Sequence, residues 1–178
     1  MKLRMFLPLL VLVVLIGFFI VGLQRDPTVL PSALIDQPAP AFVLPRLDDP
    51  SRTTSLDEYL GAPVLVNVWG SWCVGCWQEH PVLMMISASG EIPIYGLDYK
   101  DDPQAARQLL ATSGDPYTVT AFDGDGRVGI DWGVYGAPET FLVDADGRIR
   151  FKYVGPLSER AWREELLPRI RALREEGS

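Results

Sequence analysis

Short β-type runs alternate with segments of helical periodicity along most of this chain, after an apolar stretch at the N-terminus. Nearly every position from 63 to 69 is apolar, which is typical of a parallel strand buried on both faces. A second such run covers 92–97. Near the C-terminus, Asp146-Gly147 separates two further β-type runs and indicates a hairpin. Strands that alternate with helices, followed by a hairpin and a last helix, predict an α/β fold with a central mixed sheet flanked by helices.

The remaining elements follow from the same periodicities and from helix-start signals. Asp102-Pro103 favours a helix start, because proline is tolerated in the first turn. Trp162, Leu166 and Ile170 recur at helical spacing in the last segment. The other predicted strands are 41–44, 118–122, 139–143 and 149–153. The predicted helical segments are 56–60, 73–87, 102–110 and 158–174.

The N-terminal stretch predicts a membrane anchor. An uncharged apolar run extends from Met5 to Leu23, and at about 1.5 Å per residue its helix nearly spans a ~30 Å hydrocarbon core. Lys2 and Arg4 precede the run, so the positive-inside rule places the following domain outside the cytoplasm. A cleaved signal peptide is the alternative, and it leads to the same oxidising compartment. The predicted parts are a transmembrane anchor over 1–24, a proline-containing linker over 25–40 and a globular domain over 41–178.

Composition and charge exclude one class of function. The charged fraction is 22%, the aromatic fraction is 10% and the formal net charge is −7, which fit an ordinary folded domain with an acidic surplus. The chain has no cluster of lysine and arginine, so it lacks the electrostatic footprint of a nucleic-acid-binding protein.

The two cysteines of the chain form one motif, Trp72-Cys73-Val74-Gly75-Cys76, directly after a predicted buried strand. A Cys-x-x-Cys pair that opens a helix in this context is typical of a thioredoxin-like redox site. The helix N-terminus offers unpaired N–H groups and a partial positive charge, and both stabilise a thiolate. We therefore expect an exposed Cys73 to attack a substrate disulfide and a shielded Cys76 to resolve the mixed disulfide. No cofactor is expected beyond this redox-active pair.

Two other interpretations of the cysteines stay open. A structural disulfide between them stabilises little, because chain-entropy stabilisation grows with the length of the closed loop. A copper-handling site would add His80, the one histidine of the chain, which lies a helical turn after Cys76. A structural zinc site needs four ligands, and the chain has no second cysteine–histidine pair. We predict no metal site.

Several runs outside the cysteine motif match one known family. These runs are 30–35, 38–42, 66–73, 96–102 and 133–141. With them, the chain resembles the DsbE/CcmG family, which comprises membrane-tethered, thioredoxin-like thiol:disulfide oxidoreductases of cytochrome c maturation. The resemblance covers nearly the whole chain. One departure concerns the residues between the cysteines, where the family usually has a proline and this chain has Val74-Gly75, which leaves the reduction potential open.

The resemblance implies roles for residues around the cysteines. Pro138 corresponds to the cis-proline that faces the active disulfide, where the backbone pairs with an extended substrate segment. Glu79 and Glu139 correspond to acidic residues of the active site, and a carboxylate near a thiol raises the pKa of that thiol. A less stable thiolate makes the reduced protein a better electron donor. The expected active-site groove comprises Trp72, Val74, Gly75, Glu79, Tyr135, Pro138 and Glu139.

The resemblance also implies a function, partners and a location. The expected function is reduction of the disulfide of apocytochrome c, or of another haem-assembly thiol protein, before haem is attached. A membrane thiol reductase is the expected electron donor. The expected location is the bacterial inner membrane, with a single span and the domain in the periplasm. The alternatives are a general periplasmic disulfide reductase or isomerase, a copper-binding assembly factor and a thiol peroxidase.

Overall fold

The computed structural model describes residues 8, 10–12, 15–19 and 33–176. Most of the predicted anchor and much of the predicted linker, at 1–7, 9, 13–14 and 20–32, therefore lie outside the described residues. The part of the anchor that is described is helical. Within the described ranges, no helix has the length and apolar character needed to cross a membrane.

The domain is built around a five-stranded mixed sheet, accompanied by a small two-stranded sheet. The strands are β1 (Val43–Pro45), β2 (Thr53–Ser55), β3 (Val64–Trp69), β4 (Ile94–Tyr99), β5 (Val119–Asp123), β6 (Glu139–Val143) and β7 (Ile149–Val154). The larger sheet has the order β5-β4-β3-β6-β7, while β1 and β2 pair with each other. The strands β3, β4 and β5 run parallel, whereas β6 and β7 are antiparallel to their neighbours. The predicted α/β fold with a mixed sheet is confirmed.

Helices cover the sheet and connect its parallel strands. They are α1 (Val74–Ser89), α2 (Pro103–Ser113), α3 (Arg127–Asp131) and a C-terminal helix α4, which consists of Glu159–Ala161, a π-helical turn at Trp162–Leu166 and Leu167–Glu176. A short 3-10 helix covers Leu56–Tyr59. The sequence did not predict β2 or α3, because elements of three and five residues are too short to display a period.

Apolar side chains of β3 pack in two hydrophobic cores on opposite sides of the sheet, and all six residues of this strand are buried. Leu65 packs in the core that contains Leu83 and Ile86 of α1. Val66 and Val68 belong to the other core. Successive residues of a strand point to opposite faces, so this central strand is held from both sides and its end is fixed in position.

Trp132 anchors the core on the face away from α1. Its side chain is fully buried and meets the ring of Phe141 edge-on, with ring centroids 5.3 Å apart. Its indole N–H donates to the carbonyl oxygen of Pro40 at 2.9 Å. Trp132 therefore ties the segment before β1 to the sheet.

We expect Trp132→Ala to lower the free energy of unfolding by about 3–5 kcal/mol, because it leaves a large cavity and an unpaired carbonyl group. Equilibrium urea denaturation measures this change. The control is Ile130→Ala, since Ile130 is 60% exposed nearby; it should change stability by no more than about 0.5 kcal/mol. Equal effects of the two substitutions would contradict the packing role of Trp132.

Candidate active site

The end of β3 and the start of α1 place the cysteine pair. Residues 70–73 connect the two elements, and Cys73 caps α1 with an extended backbone (φ −91°, ψ 107°). The sulfur of Cys73 accepts a hydrogen bond from the backbone N–H of Cys76 at an N···S distance of 3.1 Å. A donor aimed at this sulfur stabilises a thiolate there once the pair is reduced.

The two sulfur atoms are joined in a disulfide, with the Cα atoms 5.3 Å apart. Cys73 is 4% exposed and Cys76 is 6% exposed. The prediction of an exposed Cys73 beside a more shielded Cys76 is therefore wrong for this oxidised state. The physical reason is that both side chains pack in one apolar cluster with Leu47 and Trp69, against which Ala137 also packs. A substrate can therefore reach only a small exposed part of the disulfide, within a packed surface.

Four large apolar side chains near the disulfide are exposed. Trp72, Val74 and Trp77 are 52%, 73% and 56% exposed, and Tyr135 is 69% exposed. The two indoles are nonetheless held in place, because Trp72 Nε1 donates to the Tyr99 carbonyl oxygen at 3.2 Å and Trp77 Nε1 donates to that of Ser71 at 2.9 Å. We call these four residues, which are three aromatic side chains and the neighbouring Val74, the aromatic rim. The sequence predicted three of them and missed Trp77.

Gly75 allows a close approach between the cysteine loop and two prolines. A Cβ at Gly75 would lie 2.9 Å from Pro138 Cδ and 3.1 Å from Pro156 Cγ, which is closer than side chains normally come. The Ala137–Pro138 peptide bond is cis, as the family resemblance implies. The Pro138 carbonyl oxygen accepts from the backbone N–H of Gly155 at 2.9 Å. Pro138 thus faces the residues between the two cysteines.

Asp101, which lies near the buried Asp98, holds the loop that precedes Cys73. Ser71 donates to the Asp101 carboxylate from its backbone N–H and from its hydroxyl, the latter at 2.7 Å. Asp98 is fully buried, and neither of its oxygens has a hydrogen-bond partner within the described part of the chain. Burial, and after it the charge of Asp101, raise the pKa of Asp98 to about 9. Asp98 is therefore protonated at neutral pH.

Glu79 lies in the interior, one helical turn after Cys76. Its carboxylate accepts from Asn67 Nδ2 at 2.9 Å and from the backbone N–H of Leu157 at 2.7 Å. Burial raises the pKa of Glu79 to about 7, against the opposing effect of these two hydrogen bonds. Asn67 also accepts from the Tyr117 hydroxyl at 2.8 Å. The network provides a carboxyl group that titrates near neutral pH close to the resolving cysteine.

Glu139 is buried as well, and its charge is matched by Lys152. The carboxylate oxygen Oε2 lies 2.9 Å from Lys152 Nζ, while Oε1 accepts from the backbone N–H of Tyr135 at 2.9 Å. Lys152 is 2% exposed and Glu139 is fully buried. The structure therefore places both predicted acidic residues, Glu79 and Glu139, beneath the surface rather than on an open groove.

A cavity of about 300 Å³ opens behind the resolving cysteine. Cys76, Trp77, His80 and Tyr117 contribute to its lining. His80 Nε2 lies 3.2 Å from the carbonyl oxygen of Ser113. The described residues contain no group of three or more histidine, cysteine or acidic side chains that could hold a metal ion. The copper interpretation thus has no ligand set in that part of the chain.

Sequence reasoning found the cysteines, the proline and both glutamates, but it missed the buried residues Lys152 and Asp98 and the half-buried Tyr117. Lys152 occupies a strand position that alternation assigns to solvent, and Tyr117 lies in the loop between α2 and β5. Asp98 stands in a run that the family resemblance covers, without a role of its own. The partners of Lys152 and Tyr117 lie in other elements, so no local pattern reveals them.

Comparison with known proteins places this geometry in a family. The family model described as Redoxin matches residues 35–167. The thiol:disulfide interchange protein DsbE of Allochromatium vinosum is 48% identical over 165 residues, which is 93% of this chain and 91% of that protein. The DsbE of Escherichia coli K12 is 50% identical over 144 residues, covering 80% of this chain and 77% of that one.

A solved structure supports the same conclusion. A protein from Chlorobium tepidum, assigned as a thiol:disulfide interchange protein DsbE, superimposes with a TM-score of 0.69 at 27% identity. The match covers 80% of this chain and 99% of that one. The predicted thioredoxin-like fold is confirmed. With its disulfide at a helix start, opposite a cis-proline, the chain belongs to the DsbE family of thioredoxin-like thiol:disulfide oxidoreductases.

Proposed function

We propose that this oxidoreductase is an electron donor in cytochrome c maturation, anchored in a bacterial inner membrane with its domain in the periplasm. Its substrate is the disulfide of apocytochrome c, which must be opened before haem attaches to the two thiols. A membrane thiol reductase restores the Cys73–Cys76 dithiol. The observation that supports the proposal most is the redox pair at the start of α1, opposite cis-Pro138, in a chain of the DsbE family.

The chemistry proceeds in two exchanges. The Cys73 thiolate attacks one sulfur of the substrate disulfide, which forms a mixed disulfide and releases the other substrate sulfur as a thiolate. Cys76 loses its proton and attacks the Cys73 sulfur, so that the second substrate sulfur leaves. Two electrons and two protons pass in total from the protein dithiol to the substrate. The N–H of Cys76 that points at the Cys73 sulfur stabilises the attacking thiolate.

The surface around the disulfide suits an extended polypeptide. In the strand-addition mode that the family resemblance implies, the backbone beside the cis-proline pairs with an extended substrate segment. The aromatic rim provides large apolar contacts with few rotatable bonds. An unfolded apocytochrome segment around its cysteines satisfies both requirements.

Glu79 contributes to the reducing character that the proposal requires. Once ionised, its carboxylate near Cys76 disfavours a thiolate and so destabilises the reduced, charged form. A protein whose reduced thiolate is less stable donates electrons more readily. Glu139 contributes less in this way, because the Lys152 ammonium group offsets its charge at 2.9 Å.

We expect Cys73→Ser to abolish maturation of c-type cytochromes under oxidising growth, because no other cysteine of the chain starts the exchange. Haem-stained gels of membrane fractions measure the holocytochrome level. The matched control is Ile130→Ala, which alters only an exposed side chain. Full cytochrome accumulation in the Cys73→Ser strain would overturn the proposed function.

We expect Cys76→Ala to accumulate mixed disulfides on Cys73, because the resolving sulfur is gone. Non-reducing electrophoresis and mass spectrometry identify the trapped partners, and the double variant with Cys73→Ser should trap none. Apocytochromes and a membrane thiol reductase among a few partners support the proposal. A broad set of unrelated periplasmic proteins supports the general reductase instead.

We expect Glu79→Gln to flatten the pH dependence of stability between pH 4.5 and 7. A carboxyl pKa raised from 4.5 to about 7 means that the folded state holds the proton more tightly. The proton on Glu79 therefore contributes most to stability below pH 4.5, and this contribution, on the order of 3 kcal/mol, is lost as pH rises through about 7. Urea denaturation across this range should show a loss of stability that is larger by about this amount in wild type and in Glu159→Gln than in Glu79→Gln, which keeps the contribution of Asp98.

The same variant tests the tuning of the redox pair. Above pH 7, where Glu79 is ionised in wild type, Glu79→Gln should have a reduction potential less negative by about 10–30 mV. Below pH 6 the difference should vanish. Equilibration with dithiothreitol, above pH 7 and below pH 6, measures the two reduction potentials. Equal potentials of wild type and Glu79→Gln at pH 8 would contradict the tuning role of Glu79.

A further inference from the structure

Lys152 occupies an unusual place for a lysine. It lies on β7, an edge strand of the sheet, yet only 2% of it is exposed. In the register of the sheet it is opposite Phe141, so it shares a face with Phe141 and with Glu139 two residues earlier on β6. A lysine in the interior needs charge compensation and hydrogen bonds for its ammonium group. The contacts of Lys152 show where these come from.

Three groups of residues 133–139 contact the Lys152 ammonium, and the centre of the Phe141 ring lies 5.3 Å from it. Nζ lies 2.9 Å from Glu139 Oε2 and donates to the carbonyl oxygen of Gly133 at 2.7 Å. It also lies 4.1 Å from the centre of the Tyr135 ring, within the range of a cation–π interaction. The carboxylate of Glu139 then holds the backbone N–H of Tyr135 at 2.9 Å.

These contacts form a clamp across residues 133–139. The Lys152–Glu139 ion pair contacts the segment at the Gly133 carbonyl group, at the Tyr135 N–H and at the Tyr135 ring. The segment contains the cis-proline that faces Gly75, and it displays the exposed ring of Tyr135. Glu139 Oε2 has no hydrogen-bond partner of good geometry in the described part of the chain, so the nearby ammonium is what compensates its charge.

We propose that Lys152 is a positioning residue that sets recognition of extended polypeptide disulfides by holding the 133–139 segment and the Tyr135 ring in place. It acts through the segment and touches neither the substrate nor the sulfur atoms. The proposal rests on the proposed function as far as the enzyme donates electrons to a polypeptide disulfide. It identifies Lys152 as a residue that affects reaction with polypeptide disulfides but not with small disulfides, because small disulfides need only access to Cys73.

The test compares two substrates in single-turnover reactions of the reduced, full-length chain in detergent. One substrate is a peptide with an intramolecular disulfide between two cysteines separated by two residues. The other is 5,5′-dithiobis(2-nitrobenzoate), a small aromatic disulfide. The half-saturating concentration and the limiting rate are measured for the peptide, and the second-order rate constant for the small disulfide.

We expect Lys152→Met to raise the half-saturating peptide concentration at least about tenfold with a smaller change in limiting rate, because the segment loses its fixed geometry. The rate with the small disulfide should change by no more than about threefold. Lys152→Arg should recover most of the peptide affinity, since a guanidinium forms the same ion pair and ring contact. The control is Arg163→Met, which removes an exposed partner of Glu159 on α4 and should leave the kinetics with both substrates unchanged.

A second variant separates positioning by Lys152 from simple charge compensation. It also keeps the proposal testable if Lys152→Met folds poorly because Glu139 is left without its cation. Lys152→Met combined with Glu139→Gln removes both charges and should restore folding, because a neutral pair replaces an ion pair. Positioning by Lys152 predicts that the double variant still binds the peptide weakly, since the Gly133 carbonyl group and the Tyr135 ring have lost their cation. Recovery of peptide affinity in the double variant would overturn the proposal.

The outcomes for the two proposals are distinct. Equal peptide affinity in wild type and in Lys152→Met would overturn the role of Lys152, while the cytochrome and trapping experiments would be unaffected. A wild-type protein that reacts with the small disulfide and fails to saturate with any peptide would instead contradict a polypeptide substrate, and with it both proposals.

Discussion

The chemistry of this protein depends on a strand that ends beside the start of a helix. Because β3 is buried on both faces, its end is fixed, and Cys73 is held at the start of α1. The N–H of Cys76, which also donates to the Cys73 carbonyl oxygen at 3.2 Å, points at the Cys73 sulfur at 3.1 Å. The same geometry that begins the helix thus prepares a thiolate. The cis-proline segment across from Gly75 completes the site, so packing of the sheet and redox chemistry depend on the same few residues.

Three buried carboxyl groups lie around this site, and the protein accommodates each of them differently. Glu79 accepts two hydrogen bonds, and burial raises its pKa to about 7. Asp98 has no hydrogen-bond partner within the described residues, lies near Asp101 and carries a proton at neutral pH. Glu139 forms an ion pair with the ammonium group of Lys152 at 2.9 Å. Burial of a charge is unfavourable unless it is paired or neutralised, and the raised pKa of Glu79 lies in the physiological range.

The family resemblance therefore needs a physical refinement for this chain. It groups Glu79 and Glu139 as acidic residues of one active site, which suggests similar effects on the cysteines. In the folded protein their surroundings differ, since an ion pair neutralises one carboxylate and the other titrates near pH 7. The site is consequently less acidic than the sequence suggests, and the surface presented to a substrate is mainly apolar, formed by the aromatic rim.

The sequence by itself determined the features that arise from local pattern. Continuous apolar runs predicted β3 and β4, the motif around Cys73 and Cys76 predicted a redox pair at a helix start, and the family resemblance predicted the cis form of Pro138. Tertiary structure decided everything that depends on which distant residues meet. It buried both cysteines to a similar extent, and it paired Lys152 with Glu139 through the register of β6 and β7. Periodicity reports which way a side chain faces relative to its own element, whereas a partner, a dielectric environment and a pKa arise only when separate elements pack together.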